Sequence, residues 1–142
     1  MFGSFSKSQL SQKLQNRAAR VIMTFSNYDC STDELLRMVD WVELDRQRLV
    51  DKAILMYKIL NRMVPDYLSS HFAFRSNTLT YNLRESDFSL AIPQPRTNYC
   101  KRNLSYSGAV LWNGLPLDIR QSLSLDVFKR KLQSYDFDGR FK

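Results

Sequence analysis

Apolar residues recur at helical spacing from Glu43 to Arg62, and this pattern constrains the fold more than any other feature of the sequence. Asn61, placed before Pro65, supplies a stop signal at the carboxyl end of this stretch. We expect the longest helix of the chain here, at the centre of a mainly α fold, a small helical bundle. The positions that line one side of this helix are Val50, Ala53, Ile54, Tyr57 and Leu60.

Helix signals also precede this central helix. Ser31 and Glu34 have the spacing of a capping box, in which a hydroxyl and a carboxylate satisfy two backbone amides, and they predict the start of a second helix. An amphipathic pattern nearer the amino terminus predicts a first helix with one apolar face. That face consists of Leu10, Leu14, Ala18, Val21, Ile22 and Phe25.

Two more helices are predicted towards the carboxyl terminus. Residues from Ser105 to Trp112 form the first, which Asn113 and Gly114 would end in a left-handed conformation. Ser124 caps the second. The apolar residues that keep helical spacing after this cap are Leu125, Phe128, Leu132 and Tyr135.

The stretch between the two groups of helices has a different character. Residues 75–103 carry several Asn and Pro residues, which favour turns, and Phe88, Leu90 and Ile92 alternate with small or polar residues. We expect an irregular middle segment that contains a short strand or hairpin. The 142 residues then form a single helical domain. Its parts are a basic first helix (1–28), a helical core (29–74), a loop and strand segment (75–103) and C-terminal helices (104–142).

Groups that could carry out catalysis are nearly absent. His71 is the only histidine, and no Cys or carboxylate stands near it at metal-ligand spacing. The acidic pair Asp136 and Asp138 lacks the third ligand and the closing Glu of a calcium loop. Cys30 and Cys100 are too far apart in the chain for a metal spacing and too few for a disulfide framework. The sequence predicts no autonomous enzyme, no cofactor, no metal site and no small-molecule substrate.

The sequence contains no targeting or spanning segment that we can recognise. No apolar run is long enough to cross a bilayer, and the first residues lack the apolar stretch and small-residue cleavage site of a secretory signal. We therefore expect an intracellular protein, in the nucleus or the cytoplasm, that has no membrane partner.

Positive charge is concentrated at both ends of the chain, which carries a net charge of +7. No acid precedes Asp29, and the seven cations between residues 96 and 131 are balanced by only two acids. Clustered Lys and Arg neutralise phosphates, although a basic surface can also be merely solvated. The candidate nucleic-acid-binding residues are Lys13, Arg17 and Arg20 in the first helix, with Arg96, Lys101, Arg102, Lys129, Arg130 and Lys131 in the second half.

Three aromatic residues lie among or beside these cations. Tyr99 and Tyr106 alternate with basic residues, as in grooves where rings stack on unpaired bases. We favour core packing for both tyrosines. Trp112 follows apolar Leu111, and we expect it to be a core anchor.

The order of residues in the C-terminal half carries a family resemblance. From Lys101 onwards an aromatic residue, small residues and apolar residues lead to Trp112-Asn113-Gly114-Leu115-Pro116, and Phe128-Lys129 follows. This order resembles the tail of LINE-type, jockey-like non-LTR retrotransposon polyproteins. Further segments follow the family's order along nearly the whole chain: 14–22, Trp41, Leu44, 46–48, 57–61, 65–68, 81–84 and 93–97. Three positions depart from the pattern: Arg62 stands where glycine is common, Leu104 where phenylalanine is usual and Gly114 where serine is frequent.

The resemblance implies that the chain is the thumb and post-thumb end of a reverse transcriptase, an RNA-directed DNA polymerase of a transposable element. The family's catalytic aspartates belong to a palm that this sequence lacks. The implied role is therefore non-catalytic: weak, non-specific contact with template RNA or an RNA–DNA hybrid through the basic ends. The polymerase domain of a related element is a further implied partner. The alternative is a domesticated or remnant helical module for protein interaction, with no nucleic-acid role.

Overall fold

Helices account for most of the fold, as the sequence predicts. The computed structural model describes residues 6–23, 30–77 and 88–137. Within these ranges the α-helices are α1 (Lys7–Ile22), α2 (Thr32–Met38), α3 (Leu44–Leu60), α4 (Asp66–Ser69), α5 (Leu104–Gly114), α6 (Leu117–Arg120) and α7 (Leu125–Ser134). The mainly α fold class is confirmed. None of the described helices is both long enough and apolar enough to cross a membrane.

The chain divides into two compact units. The first unit is Met1–Arg48 and the second is Leu49–Phe141, so the boundary falls within α3. The sequence indicated no division at this point, and the single domain over residues 1–142 stays a prediction.

The apolar face predicted for the first helix does not form part of the core. Leu10, Leu14, Val21 and Ile22 are 49%, 65%, 78% and 58% exposed, while Ala19 is buried. Phe25, the last predicted member of this face, lies outside the described residues. The periodicity correctly identified which residues share a face of α1, but that face is not the one that packs.

Polar residues of α1 make the contacts within the first unit. Gln12 Oε1 accepts a hydrogen bond of 3.0 Å from the backbone N–H of Leu44, and Gln15 Nε2 donates one of 3.0 Å to the carbonyl of Val42. The hydroxyl of Ser8 donates to the carboxylate of Asp45. Because the first amides of a helix have no partner within it, the bond from Leu44 satisfies one such amide of α3, whereas the other two bonds reach the Val42 carbonyl before the helix and the Asp45 side chain.

Both helices of the first unit begin with capping boxes. In α2 the hydroxyl of Ser31 accepts a bond from the amide of Glu34, and the Glu34 carboxylate accepts one from the amide of Ser31, which confirms the prediction. In α1, Ser6 and Gln9 make the same reciprocal pair. The Ser-x-x-Gln spacing carries the signal for this second box, so it could have been found from the sequence.

The long helix α3 is confirmed, and its bounds lie within two residues of the predicted ones. Met63 N–H donates to Lys58 O at 2.8 Å and Arg62 N–H to Ile59 O at 3.2 Å, the bonding pattern of a Schellman motif. Arg62 has a φ of 54°, so the left-handed residue is Arg62, one position after the predicted stop at Asn61. Glycine fits such a position best, because it has no Cβ.

An aromatic stack forms the centre of the core in the second unit. The ring of Phe128 lies 4.5 Å from that of Tyr57 and 5.9 Å from that of Trp112, centroid to centroid. Trp112 is 3% exposed, which confirms the prediction that it is a core anchor. Gly108 lets α5 approach α3 closely, because a Cβ at this position would lie 2.5 Å from the sulfur of Met56.

The predicted short strand is reduced to one antiparallel bridge between Phe74 and Leu90. Two backbone hydrogen bonds of 2.8 Å define it, from Arg75 N–H to Ser89 O and from Ala91 N–H to Ala73 O. Residues 78–87, which would join the two sides of a hairpin, lie outside the described residues.

The carboxyl-terminal helices agree with the prediction except at the end of α5. Ser124 caps α7 by accepting a hydrogen bond from Val127 N–H, as expected. The left-handed stop at Asn113 and Gly114 is wrong, because α5 runs through Gly114 and no described glycine has a positive φ. Leu115 ends the helix with a ψ of 143°. The following Pro116 disfavours a helical conformation at the residue before it.

Candidate nucleic-acid interface

The first group of predicted cations lies on α1. Lys13 and Arg17 are exposed and Arg20 is half-buried. The spacing of four and three residues places all three on one side of the helix. The helix carries four cations and no acid, since its sequence is KSQLSQKLQNRAARVI. Within the first unit α1 therefore presents a positively charged side next to its exposed apolar face.

The second group lies on the loop that leads from the bridge to α5. Arg96, Lys101 and Arg102 are all exposed on this loop. The chain has no acidic residue between Asp87 and Asp118, so no carboxylate of the same segment offsets these charges. Short-range attraction of phosphate is strongest where cations cluster without neighbouring acids.

Tyr99 lies between these cations and is 84% exposed, so the expected core packing of its ring is wrong. The turn around it is held by Thr97, whose hydroxyl accepts a bond of 3.3 Å from Cys100 N–H, and by a bond of 3.1 Å from Arg102 N–H to Tyr99 O. A 3-10 turn over Cys100–Arg102 follows. Side chains three residues apart eclipse in such a turn, so Tyr99 and Arg102 share a side. Tyr106, in contrast, is half-buried.

The third group lies on α7. Lys129 and Arg130 are exposed. Lys131 instead donates hydrogen bonds of 2.8 Å to both the carbonyl and the carboxylate of Asp118. Its ammonium group ties α7 to α6, and Lys131 as a nucleic-acid-binding residue stays a prediction.

The side chains of Trp112 and Asn113 hydrogen-bond the segment 88–90. The side-chain amide of Asn113 accepts from Leu90 N–H at 2.8 Å and donates to Leu90 O at 2.9 Å. Trp112 Nε1–H donates to Phe88 O at 3.1 Å. These bonds hold the segment 88–90, including fully buried Leu90, against α5. Trp112 and Asn113 therefore do not contribute to the candidate interface.

Arg120 is a structural residue that the sequence did not reveal. Its guanidinium donates to Phe88 O at 3.0 Å and to the hydroxyl of Ser89 at 3.2 Å. Its partners are more than thirty positions away in the chain, and no short-range spacing predicts such a contact. Arg120 belongs with Trp112 and Asn113 in fixing the segment 88–90.

The described residues also include two open clefts, one in each unit. The first, of about 580 Å³, lies between α1 and the connection from α2 to α3. The second, of about 530 Å³, follows the end of α3, where Arg62, Asp66 and Phe72 contribute to its walls. Among the described residues no three or more His, Cys, Asp or Glu side chains come together in a way that could hold a metal ion.

Comparison with known proteins found no family model, no curated protein and no solved structure that matches this chain.

Proposed function

We propose that this chain is a non-catalytic region that contacts nucleic acid, and that it corresponds to the thumb and post-thumb end of a LINE-type reverse transcriptase. The observation that carries the proposal is the loop of residues 96–102, where exposed Tyr99 stands among exposed Arg96, Lys101 and Arg102. Cations on such a loop neutralise phosphates, and an exposed ring can stack on an unpaired base. Single-stranded RNA, or the single-stranded part of an RNA–DNA hybrid, provides both phosphates and unpaired bases.

The order of motifs supports the reverse-transcriptase assignment, and the structure adds a physical rationale for two of them. The Trp112-Asn113 pair holds the segment 88–90 in place, and Arg62 adopts a left-handed conformation, which suits a position where the resembled family commonly has glycine. In this proposal the chain holds template or hybrid inside the cell, in the nucleus or cytoplasm, while a separate polymerase domain does the chemistry.

Binding of single-stranded RNA to the full chain, measured over a range of salt concentrations, tests the proposal. Log affinity should fall with log salt by about 0.7 for each phosphate neutralised. Replacing Arg96 and Arg102 by Gln should weaken binding to all sequences alike and flatten this slope by about 1.4 if each arginine holds one phosphate.

The matched control removes the same two charges elsewhere. Arg37 and Arg62 are exposed arginines in the part of the chain where acids predominate. Replacing both by Gln should leave affinity and slope nearly unchanged. Undetectable binding at low salt, or equal losses for both pairs of substitutions, contradicts the nucleic-acid proposal.

The contribution of Tyr99 can be separated from that of charge. Tyr99→Ala should weaken binding of an RNA strand but leave binding of an abasic strand of the same length unaffected. Tyr67 is a suitable control because it is 67% exposed and follows Asp66. Tyr67→Ala should not discriminate between the two strands. If Tyr99→Ala weakens binding of both strands equally, the ring does not stack on a base. Only the proposed contact between the cations and the phosphates then remains.

The absence of catalytic function is part of the same proposal. The purified chain should show no metal-dependent primer extension, because two-metal catalysis needs closely placed carboxylates that hold both ions. Primer extension above that of a mock-purified control would overturn this part of the proposal.

A second candidate function is a protein-interaction module, domesticated or remnant. The specific observation in its favour is the exposed apolar face of α1, since an apolar surface of this kind is typical of a binding site for another protein.

A further inference from the structure

The uncovered face of α1 is continuous with a groove in the first unit. Leu14 and Ala18 of α1 form one wall, and Trp41, Val42 and Leu44 form the other. Trp41 is 36% exposed and Val42 48%. Amphipathic helices of partner proteins commonly bind by placing their apolar face against an apolar groove of this kind.

The position of α1 is set by two side-chain hydrogen bonds, and Gln15, which makes one of them, also lines the groove. Gln12 and Gln15 face inward and bond Leu44 and Val42. Rotating α1 to bury its leucines would break these bonds and leave backbone groups at the start of α3 without partners. The apolar face is therefore a stable outward feature of the first unit, since the helix cannot turn it inward without this loss.

Charge indicates which kind of helix fits the groove. α1 contains four cations and no acid. Arg17 lies beside the apolar stripe that contains Leu10 and Leu14, at the edge of the stripe that is away from the groove. The other wall carries Asp40. Two copies of α1 packed face to face would place the Arg17 of each copy beside the shared apolar stripe, and α1 has no acid to pair with either one, which disfavours self-association.

We propose that this groove binds an amphipathic helix of a partner protein whose acidic residues lie along the edge next to Arg17. The apolar stripe from Leu10 to Val21 extends over about 16 Å at 1.5 Å per residue, so the bound helix has about three turns in contact. This inference does not depend on the nucleic-acid proposal, which concerns the loop at residues 96–102.

A synthetic peptide provides the probe. It has about 14 residues, with leucines along one side and glutamates along one edge. Binding to the full chain is followed by tryptophan fluorescence, because Trp41 lines the groove while Trp112 is buried in the second unit. Calorimetry supplies the dissociation constant, and the Trp41→Phe variant checks that the fluorescence change arises in the groove.

Leu14→Ser should weaken peptide binding at least about tenfold, because it removes a large side chain that the peptide would bury. Leu123→Ser is the matched control: Leu123 is 99% exposed and lies in the second unit, so affinity should not change. Circular dichroism should show that both variants keep their helix content. Arg17→Glu should weaken binding of the glutamate peptide and strengthen binding of a matching lysine peptide.

Four results would overturn the proposal. One is equal binding of the glutamate peptide and of a scrambled peptide that has lost its amphipathic pattern. Another is equal loss in Leu14→Ser and Leu123→Ser. Concentration-dependent self-association that Leu14→Ser abolishes would identify a second copy of this chain as the occupant. Tighter binding to vesicles of anionic lipid than to the peptide would identify a membrane surface.

Discussion

Single side chains of this protein connect parts of the chain that are far apart in sequence. Asn113 is the clearest case, because its amide group occupies the place that a neighbouring strand would take beside Leu90. Asn113 thereby satisfies the backbone N–H and C=O of buried Leu90. The single bridge between Phe74 and Leu90 does not continue into a strand ladder that could bond these two groups. The Trp-Asn pair is thus explained by packing and hydrogen bonding.

Replacing Asn113 by Ala should destabilise the protein by about 2–3 kcal/mol, because the N–H and C=O of buried Leu90 lose their partner. Urea denaturation measures the loss. Asn98→Ala provides the comparison, since Asn98 is exposed on the loop before α5, and its effect should lie within about 0.5 kcal/mol. Equal midpoints for the two variants would show that water replaces the amide without loss.

Trp112→Ala should cost about 3–5 kcal/mol, since it removes a buried ring that stacks on Phe128 and bonds Phe88 O. Trp41→Ala should cost clearly less, because Trp41 is 36% exposed. Thermal or denaturant unfolding of both variants gives the comparison. An unchanged midpoint for Trp112→Ala would mean that the ring does not anchor the core.

The ends of helices α2 and α3 show what holds individual elements in place. Both end in Schellman motifs, with Asp40 and Arg62 in the left-handed conformation at φ values of 56° and 54°. A side chain in this conformation costs roughly 1–2 kcal/mol that glycine avoids. The hydrogen bonds of the motif and the packing of α3 outweigh this cost in the folded protein.

Arg62→Gly should therefore stabilise the protein by about 0.5–1 kcal/mol. Glycine relieves the backbone strain, but its greater conformational freedom in the unfolded chain offsets part of this gain. Arg62→Ala keeps the strain and removes the same side chain, so its stability should match that of the original protein. The denaturation midpoints of the two variants are compared with that of the original protein. Equal shifts for Gly and Ala would assign the effect to the lost charge and not to the backbone.

At the scale of the whole molecule, the two units differ in how much apolar surface they bury. Among the described residues, the first unit buries only Ala19, Leu35 and Leu36, whereas the second buries thirteen apolar residues. Elements that bury less apolar surface open at lower free energy. The first unit is also the one that carries the proposed helix-binding groove.

Native-state hydrogen exchange should consequently show lower opening free energies for the amides of α1 and α2 than for those of α5 and α7. Addition of the acidic peptide should raise protection in α1 without changing that in α7, because a ligand stabilises only states that bind it. A single common opening free energy across both units would show that the molecule unfolds as one cooperative body.

The local features of this protein could be predicted from its sequence alone. The Ser31 capping box, the extent of α3 and the Ser124 cap depend on residues within a few positions of one another. The mainly α class follows from apolar spacing along the chain. Even the buried Trp112 was predictable, since it is a large ring among apolar neighbours.

Only the tertiary structure decided which surfaces and charges are available. A helical period shows which residues share a face, but the neighbouring element determines which face makes contacts. In α1 the contacting residues include Gln12 and Gln15, which bond the N–H of Leu44 and the carbonyl of Val42. Lys131 pairs with Asp118, thirteen positions away. The ring of Tyr99 is exposed because it lies in the turn that the bond between Thr97 and Cys100 closes. Such outcomes depend on hydrogen-bond partners brought together by folding, and no local pattern encodes them.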